Sequence, residues 1–157
     1  MDNILPLRKK DSSFENEIKE LIDLCKEDLV SVNTIILDKL DSNVPLVQEV
    51  GRYLILSGGK RLRPLLTVSS FNMTRNGISE IKNKMNHIGL SAAVEFIHTA
   101  TLLHDDVIDE SKQRRGKPTA NEQWKNKTSV LVGDFLFSRA FQLMTKYGNT
   151  ETLKILA

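Results

Sequence analysis

The stretch His98-Thr99-Ala100-Thr101-Leu102-Leu103-His104-Asp105-Asp106-Val107-Ile108-Asp109 decides how the rest of the chain is read. An apolar helical run ends there in three carboxylates. A helix turns ~100° per residue, so Asp105 and Asp109 fall within ~40° of each other on one face. His98 falls ~20° off the same line, and Asp106 sits about a quarter-turn away. Two carboxylates on one ridge repel each other, and the last turn of a helix disfavours negative charge. That local cost predicts a cation beside them. Mg²⁺ suits such a pair, because it keeps several waters and bridges to substrate phosphates. The same acids are equally consistent with a solvated helix end, and spacing alone leaves both readings open.

Upstream, Gly89, Leu90, Ala92, Ala93, Val94, Phe96, Ile97 and Ala100 are small and apolar, a composition that suits a helix buried on most sides. This helix is predicted from about Ser79 to Asp109. Before it, Lys60-Arg61-Leu62-Arg63-Pro64 opens a helix, with Pro64 in its first turn, that reaches about Asn76, where Asn76-Gly77 breaks it. Pro45 opens another, with Leu46, Val50, Tyr53, Leu54 and Leu56 on its apolar face and Gly58-Gly59 as its stop. Phe14, Ile18, Leu21, Cys25, Leu29, Val32 and Ile36 recur at helical spacing, giving a first helix from about Ser13 to Leu40. Ser12-Ser13-Phe14-Glu15 reads as its capping box, and Asp41-Ser42-Asn43 as the following turn. Downstream, Glu110 to Pro118 reads as a polar loop. Thr119-Ala120-Asn121-Glu122 reads as a second capping box. The helix it opens carries Trp124, Val130, Leu131, Phe135, Leu136, Phe141 and Leu143 and ends near Gly148. Leu153 to Ala157 begins a further amphipathic helix with no stop signal. The Val- and Ile-rich pieces sit in helical phase, so the expectation is one all-α domain over residues 1–157, an antiparallel helical bundle.

Composition narrows the classes. The 157 residues are 40% apolar and 27% charged, ordinary for a globular domain with a real core. A net charge of +2 gives no electrostatic case for nucleic acid. The interleaved exposed aromatics or long basic stripe of such a site are missing too. No apolar run approaches a membrane span, and Met1-Asp2-Asn3-Ile4-Leu5-Pro6 lacks the signal-peptide pattern. A single cysteine, Cys25, forms no internal disulfide, so a reducing cytoplasm is the expected setting. Cys25 reads as a buried small apolar residue rather than a nucleophile.

Two cationic segments complement the acids. Gly58-Gly59-Lys60-Arg61-Leu62-Arg63-Pro64 is a glycine turn, then cations, then a helix start, where free N–H groups and the positive dipole end favour an anion. Lys60 supplies a point charge and Arg63 a planar fork matched to phosphate oxygens. It differs from a Walker A loop in spacing and in its missing Ser or Thr. A solvated basic loop remains the alternative. Arg114-Arg115 follows Asp109 closely enough to fold back towards it, with a solvated loop again the alternative. His98 is a poor Mg²⁺ ligand, since that ion prefers oxygen; a charge-assisted bond to a diphosphate is the sharper reading. His104 is left open between a purely structural place and a part in the site, and His87 is given no role. Two cationic sites and one carboxylate ridge suggest two diphosphates and Mg²⁺. With an apolar helix as wall, such a site ionises an allylic diphosphate away from water.

At this point the motifs resemble the polyprenyl synthetase family, the trans-isoprenyl diphosphate synthases. The matching residues are Gly58 to Pro64, His98 to Asp109 with its DDxxD, Arg114-Arg115-Gly116-Lys117-Pro118-Thr119, and Gly133-Asp134-Phe135-Leu136. The likeness is greatest to the bacterial long-chain members. It implies an isoprenoid-synthase-like helical fold and head-to-tail 1′-4 condensation of isopentenyl diphosphate with an allylic prenyl diphosphate. In that scheme Lys60, Arg63 and His98 hold the isopentenyl diphosphate, with Arg115 assisting. Asp105 and Asp109 ligate Mg²⁺ against the allylic diphosphate, Arg114 contacts that diphosphate, and Asp106 completes the catalytic motif. Ala100 and Thr101 sit at the positions that set chain length, and their small size implies a long product. Family members form homodimers or heteromers. The family also carries a second aspartate-rich motif on a later helix, and no second DDxxD occurs in these residues. The expectation is therefore the N-terminal part of such an enzyme, inactive or nearly so alone. A non-catalytic partner subunit is the competing reading, disfavoured because docking needs none of Asp105, Asp109, Lys60, Arg63 or Arg114.

Overall fold

A computed structural model describes residues 12–56, 59, 61–75 and 85–156. The helices are α1 (Ser12–Leu24), α2 (Lys26–Lys39), α3 (Pro45–Leu56), α4 (Leu62–Thr74), α5 (Asn86–Ile108), α6 (Ala120–Tyr147) and α7 (Thr150–Leu156). The described residues contain one strand pair, a short antiparallel ribbon of β1 (Gln113–Arg114) and β2 (Lys117–Pro118). The first helix of the sequence reading is two, parted at Cys25, whose N–H divides between the Leu21 and Ile22 carbonyls. Its periodic face is enclosed only from the break onward: Cys25, Val32 and Ile36 are buried, as is Leu40 just past α2, while Phe14 is 65% exposed. The serine side chains of the first capping box, the Asn76-Gly77 break and the predicted start near Ser79 lie outside the described residues.

The centre of the molecule is α5. Ile88, Ala92, Ala93, Phe96, Ala100 and Leu103 are enclosed by α2, α4 and, most extensively, α6. Small residues let α6 approach closely. Gly89 faces the ring of Tyr147 and Gly133 faces the ring of His104; a Cβ at either position would collide with that ring. These notches sit at opposite ends of an antiparallel pair. Ser129 adds a hydroxyl bond to the Leu103 carbonyl at 3.2 Å. The helix α6 is kinked at Lys125, which has φ 70 and ψ 158. The α2–α3 turn is tied to it by Arg139, which donates to the Asp41 carbonyl at 3.0 Å.

The C-terminus of α5 is a Schellman stop. The Ser111 N–H reaches the Asp106 carbonyl at 2.9 Å and the Glu110 N–H reaches the Val107 carbonyl, with Glu110 left-handed at φ 50. The chain turns back at once into the ribbon. Its two-residue loop, Arg115-Gly116, has φ 54 and 75, the double positive φ of a type I′ hairpin. The predicted second capping box does not form. The Thr119 hydroxyl donates instead to the Ser111 carbonyl at 2.6 Å, joined there by the Asn121 amide at 3.1 Å. Both bonds pin the base of the ribbon rather than the start of α6.

Candidate diphosphate and metal site

The start of α4, one face of α5 and the ribbon meet. A cavity of about 60 Å³ is bordered by Tyr53, Gly59, Arg61, Glu95, His98, Leu102, Asp106, Arg114 and Arg115, among others. A second, of about 590 Å³, is bordered by Gly59, Arg61, Leu62, Arg63, Glu95, His98 and Arg115. Gly59 and Arg115, far apart in sequence, are neighbours here. A Cβ at Gly59 would lie 3.2 Å from Arg115 Nη1. The ribbon is held over α3 by Tyr53, whose hydroxyl donates to the Pro118 carbonyl at 2.8 Å.

Charge is arranged around His98. Burial lowers the pKa of its imidazole below the ordinary value, and Arg63, Arg115 and Arg114 push the same way, against Glu95. A half-buried neutral imidazole among guanidinium groups marks a place where positive charge is in excess and an anion is favoured. Arg63 is exposed at the rim. Lys60 lies outside the described residues.

The acids divide. Asp106 is 2% exposed and accepts from Arg114 at Nη2 (2.7 Å) and Nε (3.1 Å). Burial of that carboxylate is tolerable because the guanidinium satisfies it. The bond in turn raises the pKa of Arg114, with Asp105 and Asp109 adding to the effect from nearby. Asp105 and Asp109 are exposed and border neither cavity. They lie on the face of α5 that also carries His98 and Thr101, both half-buried. His98 is two turns earlier, ~10 Å along the axis. Among the described residues there is no group of three His, Cys, Asp or Glu side chains placed to hold a metal. The available donor set is therefore one pair of oxygen-bearing side chains open to water, which fits an ion that takes its remaining ligands from water and phosphate.

The two chain-length positions separate. Thr101 is half-buried, one turn before Asp105 on the shared ridge, while Ala100 is fully enclosed in the core. Two residues outside the sequence-derived site belong to its walls: Arg61 and Glu95, joined at 2.7 Å. The signal was present. Glu95 is the one charge in the apolar run from Gly89 to Leu103, and a buried carboxylate requires a partner. His104 packs against α6, its Nε2 3.3 Å from the Val130 carbonyl and 3.5 Å from Asp134, so a structural place is what it has. Burial pushes the Cys25 thiol up, which keeps it protonated and inert.

The sequence model of the polyprenyl synthetase family matches residues 44–157. This chain belongs to the polyprenyl synthetase family. It is 44% identical over 140 residues to the octaprenyl diphosphate synthase of Escherichia coli K12, covering 89% of this chain and 42% of that one. The crystal structure of a decaprenyl diphosphate synthase from Rhodobacter capsulatus superposes with a TM-score of 0.80 at 50% identity, covering 88% of this chain and 41% of that one. A polyprenyl synthase from Caulobacter crescentus CB15, solved with calcium and isoprenyl diphosphate, gives a TM-score of 0.80 at 46% identity over 88% of this chain and 40% of the other. The family resemblance and the all-α isoprenoid-synthase fold expected from the motifs are thus correct. The chain spans about two fifths of the length of these relatives. No described helix is long and apolar enough to cross a membrane.

Proposed function

We propose that this chain carries the diphosphate-recognition and first metal-binding surfaces of a long-chain polyprenyl diphosphate synthase. The reaction is Mg²⁺-dependent 1′-4 condensation of isopentenyl diphosphate with an allylic prenyl diphosphate. Arg63, His98 and Arg115, with Lys60, hold the isopentenyl diphosphate in the cavity at the start of α4. Asp105 and Asp109 hold Mg²⁺ at the end of α5. When bound, the ion neutralises the diphosphate leaving group, so that the allylic C–O bond breaks at lower cost. Arg114 stands between the two regions, locked to Asp106 and close to both free acids, and presents its charge to the departing diphosphate.

The observation that carries the reading is the meeting of Gly59, Arg63, His98 and Arg115 around one cavity, from three separate elements. A solvated basic loop has no reason to share a wall with a desolvated histidine. The chain-length assignment rests on Thr101, which lies on the ridge where a growing chain passes the metal. The expectation is that Thr101→Phe weakens binding of a long-tailed allylic diphosphate while leaving inorganic pyrophosphate binding unchanged.

Isothermal titration with isopentenyl diphosphate, with and without Mg²⁺, tests the reading. Micromolar binding that Arg63→Ala and His98→Ala weaken at least tenfold is expected, since each charge-assisted bond contributes about 1.5–3 kcal/mol. A helical circular dichroism spectrum with no heat of binding overturns it and returns the partner-subunit reading.

A further inference from the structure

Glu95 is out of place in an anion pocket. It is 7% exposed, borders both cavities, and belongs to the helix that bears His98 one turn later. A bare carboxylate there would repel a diphosphate. Its partner, Arg61, is equally anomalous: it caps α4 in the left-handed conformation, φ 47 and ψ 36, which non-glycine residues seldom adopt. Surroundings must impose that geometry. They do so through the guanidinium, which donates to Glu95 Oε1 at 2.7 Å and to the Ile55 carbonyl, near the end of α3, at 3.1 Å. One side chain thus joins α3, α4 and α5. Within Lys60-Arg61-Leu62-Arg63, Arg61 is neutralised by Glu95.

We propose that Glu95 is a positioning residue for the isopentenyl diphosphate cavity, acting through Arg61 to fix the first turn of α4 so that Arg63 faces His98. The inference rests on the diphosphate reading above, and assigns Arg61 to the scaffold rather than to the ligand. The Arg61 backbone carbonyl accepts from the Leu65 N–H at 3.0 Å, so the anchor and the first helical bond of α4 share a residue. Releasing the anchor lets Arg61 leave the left-handed conformation, and the first turn shifts with it. Loss of one charge-assisted bond from Arg63 to the anion is enough to cost about tenfold or more.

The test is a double-mutant cycle on the 157-residue chain, read by titration with inorganic pyrophosphate. Arg61→Met and Glu95→Leu are each expected to weaken binding about tenfold or more, and the double variant no further, because both break one linkage. Glu95→Gln, which keeps an oxygen for Arg61, is expected to recover most of the loss. Tighter binding in Glu95→Leu would show that Glu95 merely repels the ligand, and additive losses would show that Arg61 touches it; either overturns the proposal. Amide exchange supplies a readout independent of any ligand and of variants that lose stability. Glu95→Leu should speed exchange at Leu65 well above the change at Leu103 in the core of α5. Equal changes at both sites would overturn the positioning role. If the wild-type chain binds no pyrophosphate, the diphosphate reading fails, while selective exchange at Leu65 still upholds the anchor.

Discussion

His98 is the residue whose state reports the site. Its pKa is lowered first by burial and then by Arg63, so the folded chain favours the neutral ring. The unfolded chain takes up a proton near pH 6.5, and the folded chain does so only at lower pH. His98 therefore costs nothing above about pH 6.5 and increasingly destabilises the fold as the pH falls below it. A diphosphate among the same guanidinium groups reverses the balance and favours imidazolium. An NMR titration of the ring should give a pKa below 6.5 without ligand and above it with pyrophosphate. Equal values would place the anion elsewhere. Asp106 gives the complementary test. Arg114→Ala strands a carboxylate that is 2% exposed, and a loss of about 1.5–3 kcal/mol in urea unfolding is expected. Asp105→Asn, at an exposed position, should change stability by less than about 0.5 kcal/mol. Helical spacing already sets Asp106 a quarter-turn off the ridge of Asp105 and Asp109, but it does not say which face other elements will cover.

At the scale of elements, the sequence was clear where periodicity acts and silent where tertiary contact decides. The helices from Pro45, at Leu62 and from Ala120 follow from proline starts and 3.6-residue spacing. The ribbon was not legible, because Arg115-Gly116 lacks the Asn-Gly pair that usually announces a type I′ turn. The stop after Ile108 lies within one residue of the expected end at Asp109, but its geometry was hidden, with Glu110 where glycine is usual. That substitution leaves a measurable strain. Glu110→Gly removes the left-handed penalty and a negative charge at a helix C-terminus, and is expected to stabilise the chain by about 1 kcal/mol in thermal melts. Gly133 behaves in the opposite sense. Alanine has the better helix propensity, yet its methyl group has to displace the His104 ring, and overpacking of this kind costs about 1–3 kcal/mol. Gly133→Ala should lower the melting temperature, and Gly133→Ala combined with His104→Ala should regain most of it. Additive losses would mean that the notch is not what glycine serves.

For the molecule as a whole, the question is whether the acidic ridge and the cationic cavity act as one site. Fold and motifs were legible together because both lie on α5, whose sequence carries the core, His98 and the acids in a single run. The coupling proposed between them was not, because it would pass through Arg114, a ribbon residue whose contact with Asp106 depends on how the chain turns after the helix. Ligand-linked stability measures that coupling directly. Pyrophosphate at a hundredfold excess over its dissociation constant stabilises the folded chain by about 2.7 kcal/mol, or several degrees in melting temperature. Mg²⁺ added alone should shift the melt little, since two exposed carboxylates hold the ion weakly, whereas Mg²⁺ with pyrophosphate should exceed the sum of the separate shifts. Asp105→Asn and Asp109→Asn should each abolish the excess and preserve the pyrophosphate shift, which depends on Arg63 and His98. Arg114→Ala should preserve both separate shifts and lose the excess. A purely additive pair of shifts in the wild-type chain would mean that the two ends of α5 bind their ligands independently, and the proposed bridge through Arg114 would fall.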